Sequence, residues 1–371
     1  MLNKLVLKNF KCYKNQKIDF SNLTVFSGIN GAGKSTVIQA LLFLRQLVLS
    51  DNRNGDHIDL NGPLVRFGNV YDLMSNWITA DESVDFLAEE SNGETFSITL
   101  KEIDKISHVE EKYIRQMELS KKEGQKIASL SGEDFVYLSA ERSGPRVSFE
   151  VPPDAFLLNK FGASGEFTAW HICNTKQIKN KKLLEKMPDN STNDFLCQLS
   201  TCYSELGKET KITVQYLPNV ERISLSYSFA GIGGWGKDFK PINVGFGLTY
   251  SLPIFTALLM AKENDLVIIE NPEAHLHPKG QVAIGMFIAK AASAGIQVII
   301  ETHSDHVLNG IRLAVKRKII PNTLVKLNFV TNNYYAEGAT ILTPAIMDNG
   351  RIDEWPDGFF DEYENVLAEF F

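Results

Sequence analysis

Residues 23–49 read LTVFSGINGAGKSTVIQALLFLRQLVL, and this stretch decides the fold. It begins with a short apolar strand pattern, passes through a glycine-rich segment, and continues with apolar residues at helical spacing that no Gly or Pro interrupts. The segment GINGAGKS at residues 28–35 matches the GxxxxGK[ST] pattern of a phosphate-binding loop. Strand, loop and helix in this order form the context that the pattern requires, so the stretch predicts a P-loop fold.

The residue types of this loop suit a nucleoside triphosphate with Mg2+. Glycines let consecutive backbone N–H groups point at phosphates, and the helix that follows adds its positive N-terminal end. Lys34 is expected to reach the β- and γ-phosphates, and the Ser35 hydroxyl is expected to join the Mg2+ shell. The predicted ATP-binding residues are Gly28, Asn30, Gly31, Ala32, Gly33, Lys34, Ser35 and Thr36. The alternative is a glycine-rich turn that only caps a helix.

Regular α/β patterns flank the loop and return near the other end of the chain. Apolar strands there alternate with helices, which is typical of a buried parallel sheet with helices on its faces. Before the loop, strand patterns cover residues 5–10, 17–20 and 23–26. After residue 244, the pattern predicts a helix at 249–261, a strand at 266–270, a helix at 279–292 and a strand at 296–301.

The sequence between these two regions is less regular, with short alternating strands and short charged helices. It shows no heptad run sustained over several turns, so we expect no long coiled coil. We therefore predict an α/β core split into residues 1–53 and 241–340, an inserted β-rich and helical lobe at 54–240, and a C-terminal segment at 341–371 packed on the core through its aromatic residues. A docking surface for a partner is the alternative for that segment.

Composition indicates an ordinary globular protein, with 371 residues of which 44% are hydrophobic. No apolar stretch approaches the ~20 residues of a membrane span, and Met1 leads directly into a strand pattern, so we expect a cytoplasmic protein without a membrane partner. Four cysteines form no CxxC pair. The formal charge of -7 gives no overall attraction to nucleic acid, but lysine-rich runs at residues 176–186 and 316–318 leave DNA possible as a partner.

Acidic and imidazole side chains follow the two later strands at their carboxyl ends, where parallel sheets place functional loops. Glu270 ends the apolar run LVIIE, and it is our predicted Mg2+ ligand together with Ser35. Glu273 and His303 are candidates to orient or deprotonate an attacking water. An acidic helix cap is the structural alternative for Glu270.

Histidine pairs at residues 275 and 277 and at 303 and 306 raise the separate possibility of a zinc site. Neither spacing matches a familiar zinc motif, and the phosphate loop already accounts for polar residues here. A nucleotide site is therefore favoured over a zinc site.

The segments GINGAGKST, LVIIENPEAHLHP and IIETHSDH together resemble the ABC-type ATPase heads of the SMC, RecF and OLD families. Lys34 and Glu270 lie 236 positions apart, and those families also place a large lobe between the two motifs. YLSAERSGPR at residues 137–146, NVGFGLTYSLP at 243–253 and IDEWPDGFFDEY at 352–363 resemble a group of short bacterial OLD-like ATPases that stand alone. The resemblance implies an ABC-type P-loop NTPase fold.

The resemblance also implies roles. Glu270 would be the Walker B acid, His303 the switch histidine that senses the γ-phosphate, and Gly245 with Gly247 a counterpart of the signature segment that reaches the nucleotide on the opposite subunit of a dimer. The usual catalytic pair is aspartate then glutamate, whereas Asn271 follows Glu270 here. An amide cannot take a proton, so hydrolysis is expected to be slow or to use Glu273.

The leading functional hypothesis is an ATP-hydrolysing switch that closes a homodimer and controls a separate effector. By family analogy, that effector would be a nuclease in anti-phage defence. The stretch after His303 is too short for an ordinary nuclease domain, so any cutting is expected from another protein. The alternatives are a nucleotide-sensing regulator with little hydrolysis and a RecF-like DNA repair clamp.

Overall fold

The structure is a computed structural model that describes residues 1–49, 60–68, 70–75, 77, 83–104, 115–121, 127–153, 158–207, 209–333, 338–356 and 370. Much of the C-terminal segment that is predicted to pack on the core falls on residues 357–369, which lie outside the described residues.

The described strands and helices alternate along much of the chain. The strands are β1 (Leu2–Phe10), β2 (Tyr13–Asp19), β3 (Leu23–Gly28), β4 (Val84–Glu90), β5 (Thr95–Asp104), β6 (Arg115–Lys121), β7 (Val136–Leu138), β8 (Phe149–Glu150), β9 (Thr210–Leu217), β10 (Arg222–Gly231), β11 (Gly234–Trp235), β12 (Leu266–Glu270), β13 (Gln297–Glu301), β14 (Val325–Asn333) and β15 (Gly338–Leu342). The helices are α1 (Lys34–Leu49), α2 (Val70–Leu73), α3 (Ala128–Ser131), α4 (Thr168–Asn174), α5 (Lys181–Leu184), α6 (Phe195–Glu205), α7 (Phe246–Met260), α8 (Pro278–Ser293) and α9 (Asp305–Lys316).

The chain divides into two compact units. The first comprises residues 1–21, 28–133 and 328–343, and the second comprises residues 22–27, 134–327 and 344–371. The phosphate loop therefore belongs to the first unit, whereas the strands that end in Glu270 and Glu301 belong to the second.

The first unit contains an antiparallel sheet in the strand order β2-β1-β4-β5-β6. Its core is aromatic: Phe10 and Phe86 meet edge to face with their ring centroids 4.9 Å apart. Phe43 of α1 packs against Phe86 at 5.7 Å and against Phe67 at 5.2 Å. These contacts fix the helix that follows the loop onto the sheet, so α1 is held by core packing.

The second unit is built on parallel strands in the order β3-β13-β12-β7. β12 and β13 pair in register from Leu266 with Gln297 to Glu270 with Glu301, so the two strands end at the same level. Nearly every residue of these strands is buried, which explains their unbroken apolar sequence. A separate antiparallel group joins β10 to β8, β9 and β11.

The α/β P-loop fold is the fold class that the sequence predicted, and most of the predicted strands and helices lie close to those observed, although β2 begins at Tyr13 rather than at residue 17. One helix was misplaced: α7 starts at Phe246 rather than at residue 249. Gly245 has an extended backbone and forms the N-cap, and Gly247 lies within the first turn of the helix. Glycine is tolerated at the N-cap of a helix, so these two residues did not prevent the helix from starting here.

The predicted domain boundaries stay a prediction. β7 falls inside the predicted lobe yet pairs with β12 of the parallel sheet. β1 falls inside the predicted core yet pairs with β4 of the lobe.

Candidate functional site

The phosphate loop connects β3 to α1 through three glycines with positive φ. Gly28, Gly31 and Gly33 have φ values of 141°, 78° and 119°, which L-residues with a Cβ rarely adopt. Two of them are also in close contact. A Cβ on Gly28 would lie 2.2 Å from the Val330 carbonyl oxygen, and one on Gly33 would lie 2.6 Å from Cys12 Sγ. The fold of this loop therefore depends on glycine.

The Lys34 side chain folds back over the loop and is buried. Its ammonium donates hydrogen bonds to the carbonyl oxygens of Gly28, at 3.0 Å, and Ile29, at 2.8 Å, and the residue is only 4% exposed. The Tyr13 hydroxyl donates to the Gly33 carbonyl at 3.0 Å, which fixes the other end of the loop. The first turn of α1 carries no acidic residue. A buried ammonium, a glycine cradle and a helix N-terminus without a carboxylate fit a triphosphate with Mg2+.

Glu270, at the end of β12, is held by two donors. The Tyr137 hydroxyl donates to Oε1 and the Ala140 backbone N–H donates to Oε2, each at 3.1 Å. Burial raises the pKa of Glu270, and the two hydrogen bonds and the Arg142 charge oppose that shift. Each carboxylate oxygen keeps further lone pairs, so the side chain is oriented and can still accept a cation. The donor set is the hard oxygen type that Mg2+ prefers.

Arg142 is the buried cation of this region, at 3% exposure. Its guanidinium donates to the Glu270 carbonyl at 2.6 Å and also to the Asn271 carbonyl. Burial lowers the pKa of Arg142 to about 10, and the Glu273 and Glu270 charges and Tyr250 oppose the shift, so the group stays protonated at neutral pH. Arg142 therefore holds the chain directly after β12.

Asn271 needs that support because it has a φ of 43°, in the left-handed region. Its N–H donates to the Glu301 carbonyl at 2.8 Å, which joins it to the end of β13. Asparagine enters this conformation more readily than most residues. The amide at the usual base position thus also suits the local backbone.

Glu273 links the loop after β12 to the loop after β13. Thr302 Oγ1 donates to Glu273 Oε2 at 2.7 Å, and the His303 backbone N–H donates to Oε1 at 2.9 Å. Ser304 then caps α9 by accepting from the Val307 N–H at 3.1 Å. Because His303 lies between these two anchors, its position is set by Glu273 and by the start of α9. Its side chain is exposed.

The predicted signature glycines lie at the start of α7. A Cβ on Gly247 would lie 2.7 Å from the His275 carbonyl oxygen, so this turn packs on the loop that carries Glu273. Three rings cluster there: His275 is 4.3 Å from Tyr250 and 5.5 Å from Phe246, between ring centroids. The Arg142 guanidinium lies 5.9 Å from the Tyr250 ring. Ring and cation contacts therefore link the signature-like turn to Arg142, which in turn donates to the Glu270 carbonyl.

Glu270, Glu273, His303, Gly245 and Gly247 all belong to the second unit, and the structure gathers them around the carboxyl ends of β12 and β13. Gly28 to Thr36 belong to the first unit. Tyr137 and Arg142 are functional candidates that the sequence pattern does not single out, although both lie in the segment YLSAERSGPR. The signal is the apolar run FVYL at residues 135–138, which contains Tyr137. Its pairing with β12 brings Tyr137 to Glu270, and Arg142 follows the run by four positions.

Two further findings concern metal-binding clusters and membrane-spanning helices. Among the residues that the structure describes, no three His, Cys, Asp or Glu side chains cluster in a way that would hold a metal ion. No helix in the described part of the chain is both long and apolar enough to cross a bilayer.

The loop and the parallel sheet define a P-loop NTPase of the ABC-ATPase type. The chain belongs to the AAA ATPase domain family, whose model matches residues 1–231. Residues 200–309 match a family described as AAA domain, putative AbiEii toxin, Type IV TA system. Residues 320–370 match a family described as protein of unknown function (DUF3696). Comparison with curated proteins gave no match.

Solved structures of SMC heads share the fold. One is the SmcHead bound to the C-winged helix domain of ScpA, at 13% identity and a TM-score of 0.51, covering 93% of this chain and 98% of that one. Another is the Smc head domain with an extended coiled coil, bound to the C-terminal domain of ScpA from Pyrococcus furiosus. It has 12% identity and a TM-score of 0.51, and the match covers 100% of this chain and 99% of that one. At these identities the likeness concerns the fold.

The two hydrogen bonds to Glu270 generate a prediction about Mg2+ dependence, on the expectation from the sequence that Glu270 is an Mg2+ ligand. Tyr137→Phe keeps the ring but removes the hydroxyl that donates to Glu270. Because outer hydrogen-bond partners of a metal ligand typically contribute about 10–100-fold in affinity, we expect the Mg2+ concentration for half-maximal ATP turnover to rise about 10-fold. Turnover against Mg2+ at saturating ATP measures this. Tyr216→Phe, on β9, is the control and should behave as wild type. An unchanged Mg2+ requirement in Tyr137→Phe would contradict an orienting role for Tyr137.

Proposed function

We propose that the chain binds ATP with Mg2+, hydrolyses it, and uses the cycle as a switch. The observation that carries the proposal is the glycine loop closed over a buried Lys34 in a chain of the ATPase-domain family. Gly28, Asn30, Gly31, Ala32, Gly33 and Thr36 contribute the backbone of the phosphate cradle. This arrangement binds phosphate through N–H groups and the helix N-terminus.

Ser35 and Glu270 are the proposed Mg2+ ligands. Bound there, Mg2+ would supply positive charge that offsets the negative charge developing during phosphoryl transfer. The support for Glu270 is its oriented carboxylate at the end of a buried strand. The support for Ser35 is its place in the loop pattern, directly after Lys34.

Glu273 is the proposed base, because Asn271 carries an amide that cannot take a proton. Each oxygen of Glu273 already accepts one hydrogen bond, from Thr302 or from His303, and each has a further lone pair that can accept a proton. His303 is the proposed sensor of the γ-phosphate, and Glu273 fixes the backbone that carries it. The Glu273 carboxylate would thus both deprotonate the attacking water and fix the loop that carries His303.

The proposed switch is an ATP-closed homodimer that controls a separate effector. Gly245 and Gly247 lie at an exposed helix start, where backbone N–H groups suit a phosphate held by a second copy. The likeness to a family described as a putative AbiEii toxin supports a role in defence, and a nuclease is the proposed effector. The SMC heads of similar fold were solved with ScpA bound, which supports a separate protein partner.

A nucleotide-sensing regulator with little hydrolysis is the second candidate, and Asn271 is the observation that favours it. Binding of ATP alone would then close the switch, and release would reopen it. The two candidates differ in whether purified protein turns over ATP.

Phosphate release by the full chain tests the enzyme proposal and the base together. Glu273→Gln should lower turnover about 100-fold or more, because general base catalysis contributes about 100–10,000-fold. Thr302→Val removes one hydrogen bond to Glu273 and the acceptor of the Ser304 N–H, but it keeps the Glu273 carboxylate, so turnover should fall less than about 10-fold.

Lys34→Ala sets the background from contaminating ATPases in the same assay. Equal losses in Glu273→Gln and Thr302→Val would contradict a base role, since both would then act by loosening the His303 loop. No turnover above the Lys34→Ala background, with and without DNA, would favour the regulator.

Dimer closure is tested at Phe246, which lies between the two signature glycines and is 54% exposed. Phe246→Glu places a carboxylate in the first turn of α7, which suits the helix but repels a phosphate. With a non-hydrolysable ATP analogue and Mg2+, light scattering should show dimers for wild type and monomers for Phe246→Glu. Trp235→Glu, at a ring that is 52% exposed on β11, is the matched control and should dimerise. Dimerisation of Phe246→Glu equal to that of the control would contradict the proposed interface.

A further inference from the structure

The second unit contains a basic cleft with a volume of about 1140 Å³. Five lysines and two carboxylates are among the residues that line it. They are Lys160, Lys176, Lys179, Lys181, Lys262, Asp134 and Glu185. The chain as a whole carries a formal charge of -7, so this concentration of lysines is a local feature. A cleft lined by one sign of charge focuses the field and attracts ions of the other sign.

The cleft, named here the lysine cleft, lies away from the acids at the strand ends. Asp134 precedes the first residue of β7 by two positions, and Lys262 precedes the first residue of β12 by four. Both lie at the amino ends of strands whose carboxyl ends lead to Ala140 and Glu270. Five strand residues span about 16 Å, at ~3.3 Å each. The nucleotide chemistry belongs to the carboxyl ends, so the lysine cleft is a second site.

Two of the lysines are fixed by one carboxylate. Asp134 accepts from Lys160 through Oδ1 and from Lys262 through Oδ2, each at 2.6 Å. Burial alone would raise the pKa of Asp134, but these two hydrogen bonds outweigh it and lower the pKa to about 2. Asp134 is therefore ionised at neutral pH and holds the wall of the cleft in place.

The other three lysines present their charge to solvent. Lys176, Lys179 and Lys181 are all exposed, and none of them forms an ion pair with any residue that the structure describes. Glu185 is the other carboxylate among the lining residues. An anion that enters the lysine cleft thus meets an excess of positive charge within one concave surface.

The other lining residues indicate which class of anion fits. They include the amides of Asn174, Gln177, Asn190 and Asn193, which donate hydrogen bonds, and they include no aromatic residue and no arginine. Protein interfaces typically depend on buried aromatic or arginine anchors, and single-stranded nucleic acid typically stacks on aromatic rings. Neither kind of anchor lines this cleft.

We propose that the lysine cleft binds the phosphate backbone of a nucleic-acid duplex, without reading its sequence. Lysine is a point charge that positions phosphates, and amide side chains add hydrogen bonds to phosphate and sugar oxygens. The proposal does not rest on ATP turnover, because the cleft residues are separate from the phosphate loop and from Glu270. It places nucleic acid on the amino side of the parallel sheet.

Fluorescence anisotropy with a labelled DNA duplex of about 24 base pairs tests this, with full-length protein from about 50 to 200 mM salt. The test variant is K176E/K179E/K181E. The matched control is K316E/R317E/K318E, which makes the same change in charge at an exposed basic run at the end of α9. ATP turnover and circular dichroism of each variant report whether the fold is intact.

The cleft variant should bind the duplex at least about 10-fold more weakly at low salt. The slope of its log affinity against log salt should be less negative by about 2–3, because each lost phosphate contact removes ~0.9 from the size of the slope. The duplex affinity of the control should stay within about 3-fold of that of wild type. The ATP turnover of both variants should also stay within about 3-fold of wild type.

Several outcomes would overturn the proposal. They are failure of wild type to bind the duplex at low salt, equal losses in the cleft variant and the control, and tighter binding of single-stranded DNA than of duplex. Displacement of the duplex by polyglutamate at equal charge would assign the lysine cleft to an acidic polypeptide instead.

Discussion

Parallel pairing of β12 with β13 is the constraint on which the functional part of the second unit depends. The two strands run in register from Leu266 with Gln297 to Glu270 with Glu301, so both chains leave the sheet at one level. Four of the five residues of β12 and all five of β13 are buried, which ties that register to the core. A shift by one residue would exchange the side chains that fill the two buried faces of the sheet and disrupt the close packing on both. The acids at the strand ends are therefore positioned by the hydrophobic core.

At the carboxyl ends of these strands, a few polar contacts stabilise two features that would be unfavourable alone. They are the buried carboxylate of Glu270 and the left-handed backbone of Asn271. Glu270 is largely buried, and Tyr137 and Ala140 supply the hydrogen bonds that a buried carboxylate requires. Arg142 holds the two carbonyls that follow, so Asn271 can stay in the left-handed region. Local backbone strain of this kind is found mostly where surrounding contacts over-determine it, often at functional sites. Glu273 extends the same network to His303.

Much of this was predictable from the sequence, because the strongest signals are local. The loop, α1, β12 and β13 follow from a glycine motif and from apolar runs, and each lies within about two residues of its expected place. Contacts between distant segments were not predictable. Tyr137 and Arg142 reach Glu270 from about 130 positions away, through the pairing of β7 with β12. The start of α7 was missed because Gly245 and Gly247 weaken the helical pattern. Sequence reasoning treated Glu273 as a candidate base and did not reveal that both of its oxygens accept hydrogen bonds from the next loop.

The central proposal is that the chain binds one ATP with its Mg2+ and that Glu270 is a ligand of that Mg2+. Calorimetric titration of ATP into the full chain, with and without Mg2+, tests it most directly when wild type is compared with Glu270→Gln. The account predicts one ATP per chain for both proteins and a gain of about 10-fold or more in affinity on adding Mg2+ to wild type, most of which Glu270→Gln loses. An equal gain from Mg2+ in both proteins, or no binding of ATP by wild type, would contradict the account.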